Sequence, residues 1–380
     1  MNDSAAPLLG RIQQRSLAVG IVVSAICAWG AYADWTRFLQ AYLVAFFFWL
    51  NISLGCFAIL MLQHLITGRW GFVIRRALEA GASTLPLMIL FFIPLIAGHG
   101  RLYPPPPPTG FKAVYLKWPF FLARAAVYFA VWVLIARLLT KWSDDQDRTG
   151  NPVFQARLTR LSGPGIIIFG LTITFAAVDW IMSLETGFFS TIYGMIFMVA
   201  AALAAMSFIV VMAMILAKYS PLSEVATPDR FNNYGNLLMV FVLLWAYLSF
   251  SQFLIIWAGN LQDEIPWYVS RAYGGWGVIA LFLVLFHFAI PFVLLLNRPI
   301  TKSSRALAGV AIALFIMGWV DLYWIIQPAF RPQGPQLSWM DLATPVGLGG
   351  LWMAFFLQKL RKRPLLPLHD PRFDEVLQHD

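Results

Sequence analysis

Cysteine is nearly absent from this chain. There are two in 380 residues, Cys27 and Cys56, and neither belongs to a CxxC, CxxCH or ferredoxin-like spacing. The chain therefore supplies no covalent c-type haem and no iron–sulfur cluster of its own, and two thiols inside apolar runs read as small core residues. Histidine is scarce too, at five, and only His64 and His287 fall inside apolar runs, which leaves a single conceivable pair for a helix-held haem. His64 is better explained as an interfacial side chain. Charged residues make up 12%, against roughly 25% in soluble domains. No HExxH, GxSxG, P-loop or dinucleotide fingerprint occurs, which removes the common hydrolase, kinase and dehydrogenase centres.

What the chain has is apolar length. Sixty per cent hydrophobic residues and a mean hydropathy of +0.71 mark an all-α polytopic membrane protein. Ten runs approach the roughly 20 residues that a bilayer requires: 16–33, 41–66, 76–97, 118–139, 165–185, 190–217, 235–258, 273–297, 306–327 and 345–360. With both termini placed inside, 20 of the 27 Lys and Arg fall on inner segments, as the positive-inside rule requires of an even number of helices. The net charge of +9 is thus a topology signal and calls for no nucleic-acid partner. Both termini are expected in the cytoplasm of a bacterial inner membrane. The first span, preceded by Arg11 and Arg15, reads as a retained anchor, although Ala31-Tyr32-Ala33 after it has the outline of a cleavage site.

Inside the spans stand a few ionisable groups, and a charge in hydrocarbon is a functional signal because it costs at least about 2.5 kcal/mol. Asp179 in span five shares one helical stripe with Thr172, Ser183 and Thr186. Arg124 in span four lies about two turns in from the outer end, at nearly the depth of Asp179, and is its candidate counter-ion; snorkelling to the headgroups is the competing reading. Glu185, His287 and Asp321 complete the proton-transfer candidates with Asp179. His99 and Gln252 are candidate quinone contacts. Arg75 and Glu79 are four apart, so a local ion pair explains that acid.

Val178-Asp179-Trp180 in span five and Val320-Asp321 with Trp324 in span nine lie four spans apart and run in the same direction. This hints at a duplicated four-helix unit: residues 1–40 as N-terminus and first peripheral helix, 41–185 and 190–327 as the two bundles, 345–360 as the second peripheral helix and 361–380 as a cytoplasmic tail. Five prolines, 104–108, predict a stiff extended strip on the outer surface. The stretch 141–162, with its SDDQDR run, reads as an ordinary solvated inner loop, and Pro86 and Pro94 as interruptions of span three.

The runs FAAVDWIMSLETGFFSTIYG, LPLMILFFIPLIAGHGRLY and NNYGNLLMVFVLLWAYLSFSQFLIIWAGN, with ten spans in all, resemble the F subunit of the bacterial alternative complex III, in the polysulfide-reductase-like membrane family. The resemblance covers about residues 40 to 360 and leaves out the polyproline strip and both tails. It implies two four-helix bundles flanked by two peripheral helices, and an integral subunit of a respiratory quinol:cytochrome c oxidoreductase without a redox centre of its own. The implied partners are a C-type membrane subunit, multihaem and monohaem cytochromes c, an iron–sulfur subunit, a terminal oxidase and membrane lipid, with quinol or menaquinol bound at or near the chain. Asp179 and its stripe match the family's acidic motif. Two other classes fit the same residues: a secondary transporter, and a structural scaffold whose acids tolerate neutral replacement.

Overall fold

A computed structural model describes residues 5–66, 70–185, 187–367 and 370. Ten helices are long and apolar enough to cross a membrane: α1 (Ala6–Ala33), α2 (Trp35–Leu65), α3 (Trp70–Ala97), α4 (Trp118–Thr149), α5 (Val153–Leu184), α6 (Tyr193–Leu216), α7 (Pro228–Gly259), α8 (Trp276–Leu295), α9 (Ser304–Ala329) and α10 (Trp339–Leu360). The fold is all-α and polytopic. We call the end holding the α2–α3 and α4–α5 connections the basic end, after its arginines, and the other the opposite end.

Helices α2 to α5 close one ring, α2 on α3, α3 on α4, α4 on α5 and α5 on α2, and α6 to α9 close a second in the same order. Helices α2 and α6 pack on each other where the rings meet, while α1 and α10 pair outside them and lean on α2. Helix α2 is apolar all round and buried almost everywhere, as a helix between two bundles must be, whereas α7 and α8 keep most of their surface outward.

Small residues allow the central contact. A side chain on Gly55 of α2 would collide with the backbone of Ala201 in the alanine-rich stretch of α6, the close approach that small residues permit between membrane helices. Gly55→Val is expected to cost about 1 to 3 kcal/mol or more, because the obstacle is backbone and cannot rotate away. An unchanged thermal midpoint in detergent would contradict this packing.

Helix α3 is interrupted at Ser83 and Thr84, just before Pro86, while Pro94 sits in continuous helix. The break is filled by side chains. Thr84 Oγ1 donates to the Gly81 carbonyl at 2.6 Å, Thr84 and Ser53 hydroxyls lie 2.7 Å apart, and Trp352 Nε1 of α10 donates to Ser53 Oγ at 2.9 Å. Three helices are thus tied by one buried hydroxyl pair, which satisfies polar groups that lipid could not.

Candidate functional site

Arg124 and Asp179 meet across α4 and α5. Arg124 Nε donates to Asp179 Oδ2 at 2.7 Å and Nη2 to Oδ1 at 2.9 Å, a bidentate pair, and Tyr128 Oη donates to Oδ2 at 2.7 Å. The guanidinium also donates to the Tyr115 carbonyl at 2.6 Å and lies over the Tyr115 and Phe120 rings, 3.8 and 4.5 Å from their centroids. Asp179 is fully buried. Three directed donors and a planar clamp fix its carboxylate in place. Arg124 does not snorkel away. Of the expected stripe, Ser183 donates to the Asp179 carbonyl, Thr172 instead accepts from Trp132 Nε1 at 2.8 Å, and Thr186 lies outside the described residues.

Behind the pair, Asn51, Trp132 and Trp180 border a cavity of about 10 Å³, and the buried Trp180 Nε1 has no hydrogen-bond partner among the described residues. The space matches a single water, which needs polar partners of this kind.

Asp321 occupies the corresponding place in the second bundle and has a different environment. Its carboxylate accepts one hydrogen bond, from Trp245 Nε1 of α7 at 3.2 Å, and among the described residues no cation lies within ion-pairing distance. The Trp245 ring meets His287 edge to face at 4.5 Å. His287 is buried, its Nδ1 without a partner among the described residues, on a π-helical stretch, Val284–Ala289. Proline explains the local widening: Pro291 has no N–H to give the His287 carbonyl, and its ring crowds that turn. Single π turns in α-helices often mark functional positions.

The remaining candidates are distributed. Glu185, 27% exposed on its side chain, accepts from Arg271 Nη2 at 2.6 Å. Arg271 also donates to the carbonyls of Ile325 at 2.6 Å and Trp267 at 2.9 Å, and its guanidinium stacks 3.7 Å over the Trp267 ring. Burial pulls the Arg271 pKa below its ordinary value and Glu185 opposes that shift. The pair ties the segment after α5 to the short helix Ile265–Ala272 and to α9. Gln252 accepts from Ser190 Oγ at 2.8 Å and reaches Tyr268 Oη at 3.4 Å, whose pKa burial pushes up to about 12. His99 packs among Trp118, Tyr103 and Phe121 at 4.2, 4.9 and 5.0 Å, and burial lowers its pKa, favouring the neutral ring. His99 and Gln252 belong to different clusters, His99 with Tyr103, Trp118 and Phe121 and Gln252 with Ser190 and Tyr268.

A further polar assembly joins α3, the end of α4 and the C-terminal tail. At the basic end Glu79 Oε1 accepts from Arg75 Nε at 3.0 Å and Ser143 Oγ at 2.6 Å, and Oε2 from Arg76 at 2.7 Å and Arg363 at 3.1 Å. Arg75 further donates to Asp370 at 2.7 Å and Gln146 at 3.1 Å, Arg363 to Asp144 at 2.7 Å, and Arg76 pairs with Asp147. The local pair at Arg75 and Glu79 exists, but it is a fraction of the network. The expected solvated loop is also corrected. Helix α4 continues to Thr149 and turns Ser143, Gln146 and Asp147 toward α3, three residues whose spacing of three and four is the periodicity of one helix face. The tail closes the cluster, with Leu365 and Leu366 buried beside it.

Among the described residues no group of three or more His, Cys, Asp or Glu side chains could hold a metal ion. No protein-family model and no curated protein matches the chain.

Proposed function

We propose that this chain is a proton-conducting membrane subunit of a respiratory quinol oxidoreductase of the alternative complex III type, with the electron-carrying centres on partner subunits. The observation that supports proton conduction is Asp321, a carboxylate inside a membrane-crossing helix held by one indole N–H and no cation among the described residues. A group held so loosely can gain and lose a proton without breaking an ion pair. Asp179 is its opposite, clamped by Arg124 and Tyr128, and serves as a fixed charge that shapes the first bundle. His287 faces the same indole as Asp321. Glu185, partly exposed toward the opposite end, offers a carboxylate through which a proton leaves. Intramembrane acids arranged in this way suit a relay.

The oxidoreductase part of the reading rests on the resemblance of the three sequence runs, and the basic end is assigned to the cytoplasm of a bacterial inner membrane from its arginines. Quinol would bind at or near the chain, with His99 or Gln252 touching it. Two measurements test the proposal. Mild-detergent purification through a tag after the C-terminal residue should bring down a multihaem cytochrome c and an iron–sulfur chain and show a haem difference spectrum. A lone, colourless chain that drives solute uptake in vesicles would make it a transporter. In the assembled complex Asp321→Asn should slow quinol-driven turnover and proton release about 100-fold, the usual scale of a lost proton-transfer group. Wild-type proton release in that variant would remove Asp321 from the path.

A further inference from the structure

A polar cleft of about 370 Å³ opens at the opposite end, between the first turn of α2 and the segment 330–336 after α9. Its chemistry is unlike that of the apolar helices around it. Three guanidiniums gather here. Arg331, only 6% exposed, is committed to the fold: Nη1 donates to Asp341 Oδ2 at 2.9 Å and to the Gln336 carbonyl at 2.7 Å, and Nη2 to Asp341 Oδ1 at 3.2 Å. Asp341 is thereby neutralised, and it also closes the capping box of α10 with Ser338. The Arg331 Nε is buried without a partner among the described residues.

Arg37 is differently placed. Its Nη2 donates to the Gln336 carbonyl at 2.6 Å, and no carboxylate pairs with its guanidinium among the described residues. The acid nearest in sequence, Asp34, has Oδ1 occupied by the Arg37 backbone N–H at 2.9 Å, as the N-cap of α2. Arg101 reaches the rim, donating to Thr36 Oγ1 at 3.3 Å, and among the described residues no acid pairs with it either. Asp34, Thr36, Arg37, Gln40, Arg331 and Gln336 therefore line or edge a cavity with an excess of unneutralised guanidinium and a cap carboxylate at its side.

Depth narrows the ligand. The cleft lies where α2 begins and α9 has ended, and the partly exposed Trp35 and Trp339 stand at the same level, the position of aromatic side chains at a membrane–water boundary. An anion held there sits at headgroup height. Arginine forks match phosphate oxygens, and a phosphodiester carries the single charge that the spare guanidinium calls for. We propose that this cleft binds the phosphate of a phospholipid headgroup, taken by Arg37 with Arg101 at the rim. A headgroup ammonium would meet Asp34, so phosphatidylethanolamine is the expected best ligand. The site is independent of the proposed respiratory role.

The test uses the purified full chain or the complex containing it, stripped of lipid by detergent exchange, with native mass spectrometry and thermal midpoints as readouts. Probes are short-chain phosphatidylethanolamine, phosphatidylglycerol and inorganic phosphate. Arg37→Gln should raise the half-saturating lipid concentration about tenfold, the loss of one charge-assisted hydrogen bond. Arg101→Gln, an exposed change that keeps the test alive if the first variant folds poorly, should raise it several-fold. Arg305→Gln, at the basic end, should leave it unchanged. Inorganic phosphate that binds with the same dependence on Arg37 would uphold a phosphate site and assign it to a soluble source. Absence of binding to the wild-type chain, or lipid binding equal in R37Q and R305Q, would overturn the proposal.

Discussion

Replacing Arg124 with Leu is expected to cost about 3 to 5 kcal/mol, the scale seen when one partner of a buried ion pair is removed. The reason is Asp179: with no exposure it would lose both guanidinium hydrogen bonds while keeping the one from Tyr128. The cycle is more telling than the single change. Arg124→Leu with Asp179→Leu removes both charges and should recover most of the loss, because apolar replacement of a whole buried pair is often neutral or better. Reversible unfolding in mixed detergent, scored as a double-mutant cycle, measures the coupling. A single variant within about 1 kcal/mol of wild type, or a double variant no better than the single, would show that Arg124 reaches water and that the pair is incidental. On the proposed relay, Asp179→Asn should disturb proton release less than Asp321→Asn, since Asp179 is clamped by Arg124 and Tyr128 while Asp321 is held by one indole N–H.

The second large effect is expected at Glu79. Three guanidiniums, from Arg75, Arg76 and Arg363, converge on one buried carboxylate. Glu79→Gln keeps the shape and removes the charge, leaving three cations with fewer counter-charges at the basic end. The expected cost is at least about 3 kcal/mol. The change should also loosen the tail: Arg363 would keep Asp144 alone, and residues 361–363 should become quick to cleave with trypsin. Asp370 remains bound to Arg75, so release would be partial. An unchanged midpoint together with a protected tail would show that the network is redundant around Glu79.

The sites differ in how far they could be read in advance. Arg124 and Asp179 were legible because helix depth follows from counting residues, and adjacent antiparallel helices bring equal depths together. The Glu79 cluster was only half legible. An i, i+4 pair is local, whereas Asp144, Asp147, Arg363 and Asp370 come from segments 65 or more residues away, and nothing local shows that α4 continues as helix past the apolar run. The π turn under His287 had a signal that went unused, Pro291 four residues on. Arg271 could not have been assigned to Glu185 without the fold, since 86 residues separate them.

By itself the sequence determined the class, the number of crossings and the sorted arginines, and through its two acidic echoes it pointed to duplication. Those are properties of single segments: apolar length, charge and helical period act within about 20 residues. Only the tertiary structure decided which acid is clamped and which is loose. Asp179 and Asp321 carry similar local sequence, and their difference arises because α4 presents Arg124 to one while α7 presents Trp245 to the other. That choice depends on how each helix is rotated about its axis when bundles pack, and rotation is set by contacts such as Gly55 on Ala201, which no segment contains alone.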